Sequence, residues 1–219
     1  MARRRSSWLA EHENDPYVRQ ARQAGYRSRA ACKLLELDAK DSLFRPGMTV
    51  VDLGAAPGGW SQVAADRVGA AGRVVAVDIL PMAPLAGVEF IRGDFCEQAV
   101  LDQLLARLAG RPVDLVISDM APNISGVRAV DQPRSIHLVE LAVEFSNTVL
   151  RRGGALVAKV FQGAGFQELV RDLHPCYEKV LIRKPRASRP RSREVYVLGR
   201  GFRGDSRQAL ESTGEIGQD

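Results

Sequence analysis

Five apolar segments in the middle of the sequence each end at or next to an ionisable residue. These residues are Asp52, Asp78, Asp94, Asp119 and Lys159. If these segments are parallel strands, their carboxyl ends meet at one edge of a sheet, which is where open parallel sheets bind ligands. One such residue is a common accident, but five in succession predict a site. Carboxylates accept hydrogen bonds from hydroxyl and amino groups, and a lysine can remove a proton.

Lys159 and Asp119 are the residues most difficult to explain by structure alone. Lys159 ends a valine-rich segment, where burial favours the neutral amine and nearby carboxylates oppose that effect. A neutral amine is a competent base for a hydroxyl group. Lys33 is a candidate cationic neighbour, although its spacing alone favours an exposed helix residue.

The glycine-rich stretch after Asp52 predicts a nucleotide-like ligand. Residues 54–59 read GAAPGG, and glycines at a strand-to-helix turn let a ligand lie against the main chain. The dinucleotide fingerprint G-x-G-x-x-G fails at Ala56, where its glycine would approach a pyrophosphate. S-adenosylmethionine has no pyrophosphate, so the stretch favours this ligand over NAD.

Three residues near this stretch are candidates for ligand contact. Asp78 lies twenty residues after Gly58, the spacing at which an acidic residue binds the ribose hydroxyls in nucleotide-binding folds. Asp94 could accept a hydrogen bond from an adenine amino group. Trp60 offers apolar surface beside a methionine chain or a base. Turn-forming aspartates and a core tryptophan explain the same residues without a ligand, so both interpretations stay open here.

The pattern of apolar segments predicts an α/β fold. Strands are expected at 49–53, 73–78, 88–94, 113–119, 154–160, 177–183 and 194–199. Helices are expected within 27–41, 61–69, 96–110 and 133–154, the first with Ser28 near its start. Alternation of strand and helix predicts a mostly parallel sheet covered on both faces. The last two strands have no helix between them, which predicts an antiparallel pair at one edge.

Length and composition predict one cytoplasmic domain. The chain has 219 residues, 45% of them hydrophobic, and no apolar segment near the ~20 residues that span a bilayer. We expect a basic segment at 1–27, one domain at 28–199 and a polar, disordered tail at 200–219. The three cysteines form no C-x-x-C pair, so neither a disulfide framework nor a metal site is expected.

The basic residues are clustered. Seven lie between Lys179 and Arg193 with no acidic residue among them, and a second group lies in the first forty residues. Such clusters attract polyphosphate surfaces, with nucleic acid the leading candidate. An exposed loop and tail without a partner would have the same composition.

Several motifs in order resemble one known family. The segments GYRSRAACKL, VVDLGAAPGGWSQ, SDMAPN, AKVFQG and RPRSREVYVL closely resemble those of the FtsJ/RrmJ-type ribosomal RNA 2′-O-methyltransferases of bacteria. The similarity extends over roughly residues 7–199. It implies a class I S-adenosylmethionine-dependent methyltransferase fold, related to the Rossmann fold, and a uridine in the A loop of 23S rRNA, within the large ribosomal subunit, as substrate.

The resemblance also implies roles for individual residues. The catalytic tetrad of the family corresponds to Lys33, Asp119, Lys159 and Glu194. Its cofactor contacts correspond to Gly58, Trp60, Asp78, Asp94 and Asp119. Lys159 would accept the proton of the ribose 2′-hydroxyl, no metal would take part, and the protein is expected to be a monomer.

Three alternatives remain open. A methyltransferase of the same fold could act on the anticodon loop of tRNA or on an mRNA cap, and a ribosome assembly factor could have only secondary catalysis. An NAD-dependent oxidoreductase is disfavoured by Ala56 and because His12, His137 and His174 lie away from strand ends.

Overall fold

Seven strands form one sheet in the computed structural model, which describes residues 15–122 and 125–204. In chain order they are β1 (Thr49–Leu53), β2 (Arg73–Asp78), β3 (Val88–Arg92), β4 (Val113–Ser118), β5 (Leu150–Phe161), β6 (Tyr177–Arg183) and β7 (Glu194–Phe202). Their order across the sheet is β3-β2-β1-β4-β5-β7-β6. The order reverses between β1 and β4, and ligands of open α/β sheets bind at such a reversal.

The direction of β7 brings Glu194 to the carboxyl ends of the parallel strands. Neighbouring strands from β3 to β5 are parallel, and β7 is antiparallel to both β5 and β6. The predicted parallel sheet with an antiparallel pair at one edge is confirmed, with β7 one place in from that edge. The amino end of β7 therefore lies among the carboxyl ends of the parallel strands. Glu194 is opposite Phe161, and Tyr196 is opposite Lys159.

Six helices are present in the described part of the chain. They are α1 (Pro16–Gln23), α2 (Ala30–Asp41), α3 (Gly59–Val68), α4 (Gln98–Leu108), α5 (Arg128–Val149) and α6 (Phe166–Leu173). The sequence predicted α2 to α5 but not the short α1 and α6. Within the described residues, none of these helices is long and apolar enough to cross a membrane.

Local sequence explains where the first helix, α1, begins, whereas α2 begins without a cap. The side chain of Asp15 accepts a hydrogen bond from the Tyr17 N–H at 2.9 Å, and Pro16 occupies the first position of α1, so both residues favour a helix start. α2 begins after Arg29 and has no side-chain cap. Ser28 lies near this helix start, as predicted, and its hydroxyl is buried without a hydrogen-bond partner.

The last strand ends three residues beyond its predicted end at residue 199. β7 continues to Phe202, whose ring is buried against Tyr177, so residues 200–202 belong to the sheet. The rest of the predicted tail, from residue 205 onward, and residues 1–14 of the basic amino-terminal segment lie outside the described residues.

The sheet separates two apolar layers. α2 and α3 pack on one face through residues such as Leu34, Trp60 and Val63. α4, α5 and α6 pack on the other face, where Leu104 and Phe145 are buried. Successive residues of a strand point to opposite faces, so both layers use the same strands.

Candidate active site

The buried Lys159 and the half-buried Asp119 form an ion pair at the carboxyl ends of the parallel strands. Lys159 lies near the end of β5 and Asp119 follows β4, its parallel neighbour. The Lys159 Nζ lies 3.0 Å from the Asp119 Oδ1 and donates a hydrogen bond of 2.5 Å to the Asp119 carbonyl oxygen. The sequence prediction that these strand ends meet is therefore confirmed.

Tyr196 joins this pair to the rest of the site. Its hydroxyl donates a hydrogen bond of 2.8 Å to the Asp119 Oδ1, the same oxygen that faces Lys159. Burial, followed by the negative charges of Asp119 and Glu194, raises the pKa of Tyr196 well above its ordinary value. The side chain therefore remains a neutral donor. Sequence analysis missed this residue, and its only signal was the position two residues after Glu194 on a strand.

Lys33 and Glu194 form a second ion pair beside Tyr196. The Lys33 Nζ lies 2.7 Å from the Glu194 Oε1 and 5.8 Å from the centroid of the Tyr196 ring. Burial raises the pKa of Glu194, but the charge of Lys33 and its hydrogen bond outweigh that effect, so the pKa is lowered. Lys33 is only 8% exposed, which corrects the expectation from spacing that it is a solvated helix residue.

Asp52 is a fully buried carboxylate at the end of β1. Its Oδ2 accepts a hydrogen bond of 2.6 Å from the Ser61 hydroxyl, and its Oδ1 has no hydrogen-bond partner. Burial raises the pKa of Asp52 to about 7 against the opposing effect of the Ser61 hydrogen bond, and the charges of Asp119 and Asp78 add to the rise. A carboxyl group that titrates near neutrality thus lies beneath the glycine-rich loop.

The glycine-rich loop leaves a cradle at the start of α3. Gly58 has a φ of 107°, a left-handed conformation that favours glycine, and α3 begins there without a capping side chain. A Cβ at this position would lie 2.9 Å from the Met82 Sδ and 3.1 Å from the Arg27 Nη1. Since the first N–H groups of a helix have no partner within it, this cradle suits an anionic or nucleotide-like ligand.

Arg27 connects the two loops around this cradle. Its guanidinium donates hydrogen bonds to the carbonyl oxygens of Pro57, Ala83 and Pro84 at 3.3, 2.7 and 2.6 Å. Its main-chain N–H donates to the Gln62 side chain at 2.7 Å. The segment before α2 therefore fixes the loops that follow β1 and β2.

Asp78 and Asp94 stand at the ends of the next two strands. Asp78 accepts hydrogen bonds from the N–H groups of Ala56 and Leu80, each at 2.8 Å, so it organises both neighbouring loops. Asp94 is exposed, lies beyond the end of β3 and accepts a 2.9 Å hydrogen bond from the Cys96 N–H. Carboxylate oxygens have further lone pairs, so these turn roles leave both residues able to accept from a ligand.

Trp60 is a core residue. The indole is 2% exposed, donates a hydrogen bond of 2.8 Å to the Ala30 carbonyl oxygen and packs 5.6 Å from the Tyr196 ring. Of the two interpretations left open by the sequence, the structure supports packing for the side chain. A ligand contact at this position would use the main-chain N–H in the first turn of α3.

The basic segment between β6 and β7 is fixed against α2. Glu36 accepts hydrogen bonds from the N–H groups of Arg186 and Ala187 at 2.6 and 2.9 Å. Arg29 donates a hydrogen bond to the Ala187 carbonyl oxygen. Because the same segment leads into Glu194, the positive surface borders the two ion pairs.

The site brings together two lysine–carboxylate pairs and the glycine-rich loop at the carboxyl ends of the parallel strands. Of the predicted site residues, Lys33, Asp119, Lys159 and Glu194 lie around Tyr196, while Gly58, Asp78 and Asp94 lie along the neighbouring strand ends. Within residues 15–122 and 125–204, no group of three or more histidine, cysteine or acidic side chains is arranged to hold a metal ion.

Known proteins resemble this chain in sequence and in structure. A model of the FtsJ-like methyltransferase family matches residues 26–202. Ribosomal RNA large subunit methyltransferase E of Cellvibrio japonicus is 61% identical over 206 residues, covering 93% of this chain and 98% of that protein. The protein of the same name in Marinobacter nauticus is 62% identical over 205 residues, covering 93% and 99%.

A solved structure agrees with these sequence matches. A protein described as a ribosomal RNA methyltransferase, from Plasmodium falciparum, superposes with a TM-score of 0.74 at 29% identity, covering 82% of this chain and 100% of that one. The range of the family model contains all seven strands and every residue of the site. The chain therefore belongs to the FtsJ-like methyltransferase family.

Proposed function

We propose that the protein methylates ribosomal RNA of the large ribosomal subunit, at the 2′-oxygen of a uridine ribose in the A loop of 23S rRNA, with S-adenosylmethionine as the methyl donor. The observation that supports this best is the convergence of Lys159, Asp119, Lys33 and Glu194 around Tyr196. The names of these two relatives support ribosomal RNA of the large subunit as the substrate class.

The cradle at Gly58 fits the proposed cofactor. Asp78 would accept hydrogen bonds from the ribose hydroxyls, Asp94 from the adenine amino group, and the first N–H groups of α3 would face the carboxylate of the methionine part. When bound, S-adenosylmethionine supplies a methyl group on a positively charged sulfur.

Lys159 is suited to accept the proton of the ribose 2′-hydroxyl. In the ion pair with Asp119 the lysine is an ammonium without a lone pair, so it first releases one proton to solvent. The resulting neutral amine has two N–H bonds and one lone pair, and Asp119 offers two acceptors, its carbonyl oxygen at 2.5 Å and its Oδ1 at 3.0 Å. With both N–H bonds directed to Asp119, the lone pair is left for the substrate. General base catalysis of this kind contributes typically ~10²- to 10⁴-fold in rate.

Lys33 and Glu194 would position the ribose. Their ion pair lies beside Tyr196, whose hydroxyl donates to Asp119, so a sugar bound over the two pairs would meet charged hydrogen-bonding groups from both. Holding the 2′-oxygen in line with the methyl group is a second large source of rate.

Methyl transfer from radiolabelled S-adenosylmethionine tests the proposal. The substrates are large ribosomal subunits that lack the modification, free ribosomal RNA and tRNA, each with wild-type protein and with Lys159→Ala. We expect label on the ribose of the A-loop uridine, and a loss of at least about 10²-fold with the variant. Cofactor affinity, measured by calorimetry, should be nearly unchanged, because Lys159 contacts Asp119 and not the cradle.

Arg111→Ala is the matched control. Arg111 is an exposed cation that precedes β4, at the end of the sheet opposite Lys159, and the variant should keep its activity. Label on tRNA instead of the subunit would reassign the substrate. Full activity of Lys159→Ala would remove it as the base, and subunit assembly supported by an inactive variant would favour an assembly factor.

A further inference from the structure

A basic cavity lies beside the site, between α2 and the segment that follows β6. Its volume is about 280 Å³. Four of its lining residues are basic, namely Lys40, Arg183, Lys184 and Arg186. Leu37 and Pro185 are buried and give the cavity an apolar part.

Two of the four basic side chains hold the cavity in shape. Arg183 donates two hydrogen bonds to the Asp41 carboxylate, at 2.7 and 2.8 Å, and Lys184 donates one of 2.5 Å to the Ser192 carbonyl oxygen. The lining carboxylate of Glu36 is directed to main-chain N–H groups of the basic segment. The walls are therefore fixed by contacts within the protein.

The other two basic side chains are directed to solvent. Lys40 and Arg186 are both exposed, and neither has a carboxylate partner within the described ranges of the chain. A pair of uncompensated cations at the mouth of a partly apolar cavity suits a phosphate with its attached sugar.

The cavity continues the line of the catalytic residues. Lys33 and Lys40 both belong to α2, and a spacing of two helical turns places them on one side of the helix, about 10 Å apart along its axis. The segment from Arg186 onward returns to Glu194, the partner of Lys33. A polynucleotide in the site would thus pass the cavity within a short length of strand.

We propose that this cavity binds a nucleotide adjacent to the methylated one, by its phosphate and sugar. The inference rests on the proposed function and adds a second point of attachment for the RNA strand. Lys40 and Arg186 contact the phosphate oxygens, and Leu37 and Pro185 contact the sugar. Because phosphate contacts fix position without reading bases, this subsite sets the register of the target ribose over Lys159.

Removing the two free cations tests the subsite. The protein used is the full chain with Lys40→Ala and Arg186→Ala together, and the probe is a fluorescein-labelled ribosomal RNA fragment that contains the A loop. Equilibrium binding is measured by anisotropy at several salt concentrations. We expect affinity to fall about tenfold, and the slope of log affinity against log salt to decrease in magnitude by roughly 1 to 2.

Kinetics and a matched control distinguish the loss of a specific RNA contact from the loss of any two positive charges on the surface. The KM for RNA should rise in parallel, with the maximal rate and cofactor affinity kept, and retained cofactor binding shows that the variant folds. The control is Arg45→Ala with Arg111→Ala, two exposed cations that precede β1 and β4 at the opposite end of the sheet. Wild-type affinity and slope are expected for it.

Three results would overturn the inference. They are an unchanged affinity and salt slope in the test variant, an equal loss in the control, and no binding of the RNA probe by wild-type protein. Failure of the proposed function looks different, since wild-type protein would bind the probe but transfer no methyl group to it. The binding measurement would then still decide whether the cavity is a phosphate site.

Discussion

At the scale of single residues, Tyr196 holds the two charged pairs of the site in one arrangement. It donates to Asp119, and its ring lies beside the Lys33 ammonium and the Trp60 indole. A neutral hydroxyl on a carboxylate oxygen limits the directions in which Asp119 can face Lys159.

Replacing Tyr196 with Phe tests this role. The ring and its packing remain, and only the hydrogen bond to Asp119 is lost, so we expect a stability change of about 1 kcal/mol and a fall in kcat of about tenfold. Methyl-transfer kinetics with saturating RNA measure the change, and the affinity for the cofactor serves as the control. An unchanged kcat would show that Tyr196 only packs.

Asp52 makes stability depend on pH in a direction opposite to that of an ordinary paired carboxylate. Its pKa is about 7 in the folded protein, against about 3.9 when unfolded. Between these values the folded state binds a proton that the unfolded state has lost. The stabilisation that the raised pKa of Asp52 gives to the folded state is therefore complete below pH ~4, and it disappears as the pH rises through 7.

Asp52→Asn should remove this dependence, because an amide does not ionise. Urea unfolding of both proteins at pH 5 and pH 8 gives the difference in unfolding free energy between them. From pH 5 to pH 8 that difference should move in favour of the variant by about 2 to 3 kcal/mol. The same difference at both pH values would contradict the raised pKa.

The sequence predicts some of these residues well and others poorly, for a physical reason. Asp119 and Lys159 are predictable because polar groups at the ends of buried strands stand out from an apolar background. Tyr196 is one of several large residues on a strand, so nothing distinguishes it before the register with Lys159 is known. The burial of Lys33 depends on Glu194, which is distant in sequence.

At the scale of elements, α2 organises the basic segment between β6 and β7. Glu36 accepts two of its N–H groups, and Arg183 at the end of β6 pairs with Asp41 at the end of α2. From the sequence, this basic segment is connected to the candidate site only through Glu194, which follows it and which the family resemblance assigns to the tetrad. Its attachment to α2 cannot be predicted from charge, since it depends on side chain to main chain hydrogen bonds.

Glu36→Ala should release this segment. With its two hydrogen bonds gone, amide exchange at Arg186 and Ala187 should quicken, and affinity for RNA should fall while cofactor affinity stays the same. Hydrogen–deuterium exchange of the peptides that cover the segment measures this directly. Glu140→Ala, a change of an exposed carboxylate on α5, is the matched control. Unaltered exchange in Glu36→Ala would mean that other contacts hold the segment.

At the scale of the whole molecule, the site depends on a sheet covered by helices on both faces. The strand and helix patterns predicted this architecture because buried parallel strands are continuously apolar. The short helices α1 and α6 escaped prediction, since eight residues give only about two turns of periodicity.

Leu104→Ala tests whether the buried leucines contribute more to the unfolding free energy than the exposed ones. Leu104 is fully buried between α4 and the sheet, and its truncation should cost roughly 2–5 kcal/mol of unfolding free energy. Leu80→Ala removes the same atoms from a side chain that is 58% exposed, and should change stability by less than about 0.5 kcal/mol. Denaturant unfolding compares the two. Equal effects would contradict the assigned core.

The direction of β7 also determines where the chain can be attached to other molecules. Because β7 is antiparallel to β5, Glu194 begins it at the end of the sheet that carries the candidate site, and Phe202 ends it at the opposite end. A fluorophore, affinity tag or surface linker joined after this strand would leave from the end remote from the proposed RNA path. One joined before α1 would start near Asp15, which is paired with Arg29 next to the basic segment. Immobilisation through the carboxyl-terminal side is therefore the orientation that leaves the site open to a particle as large as a ribosomal subunit.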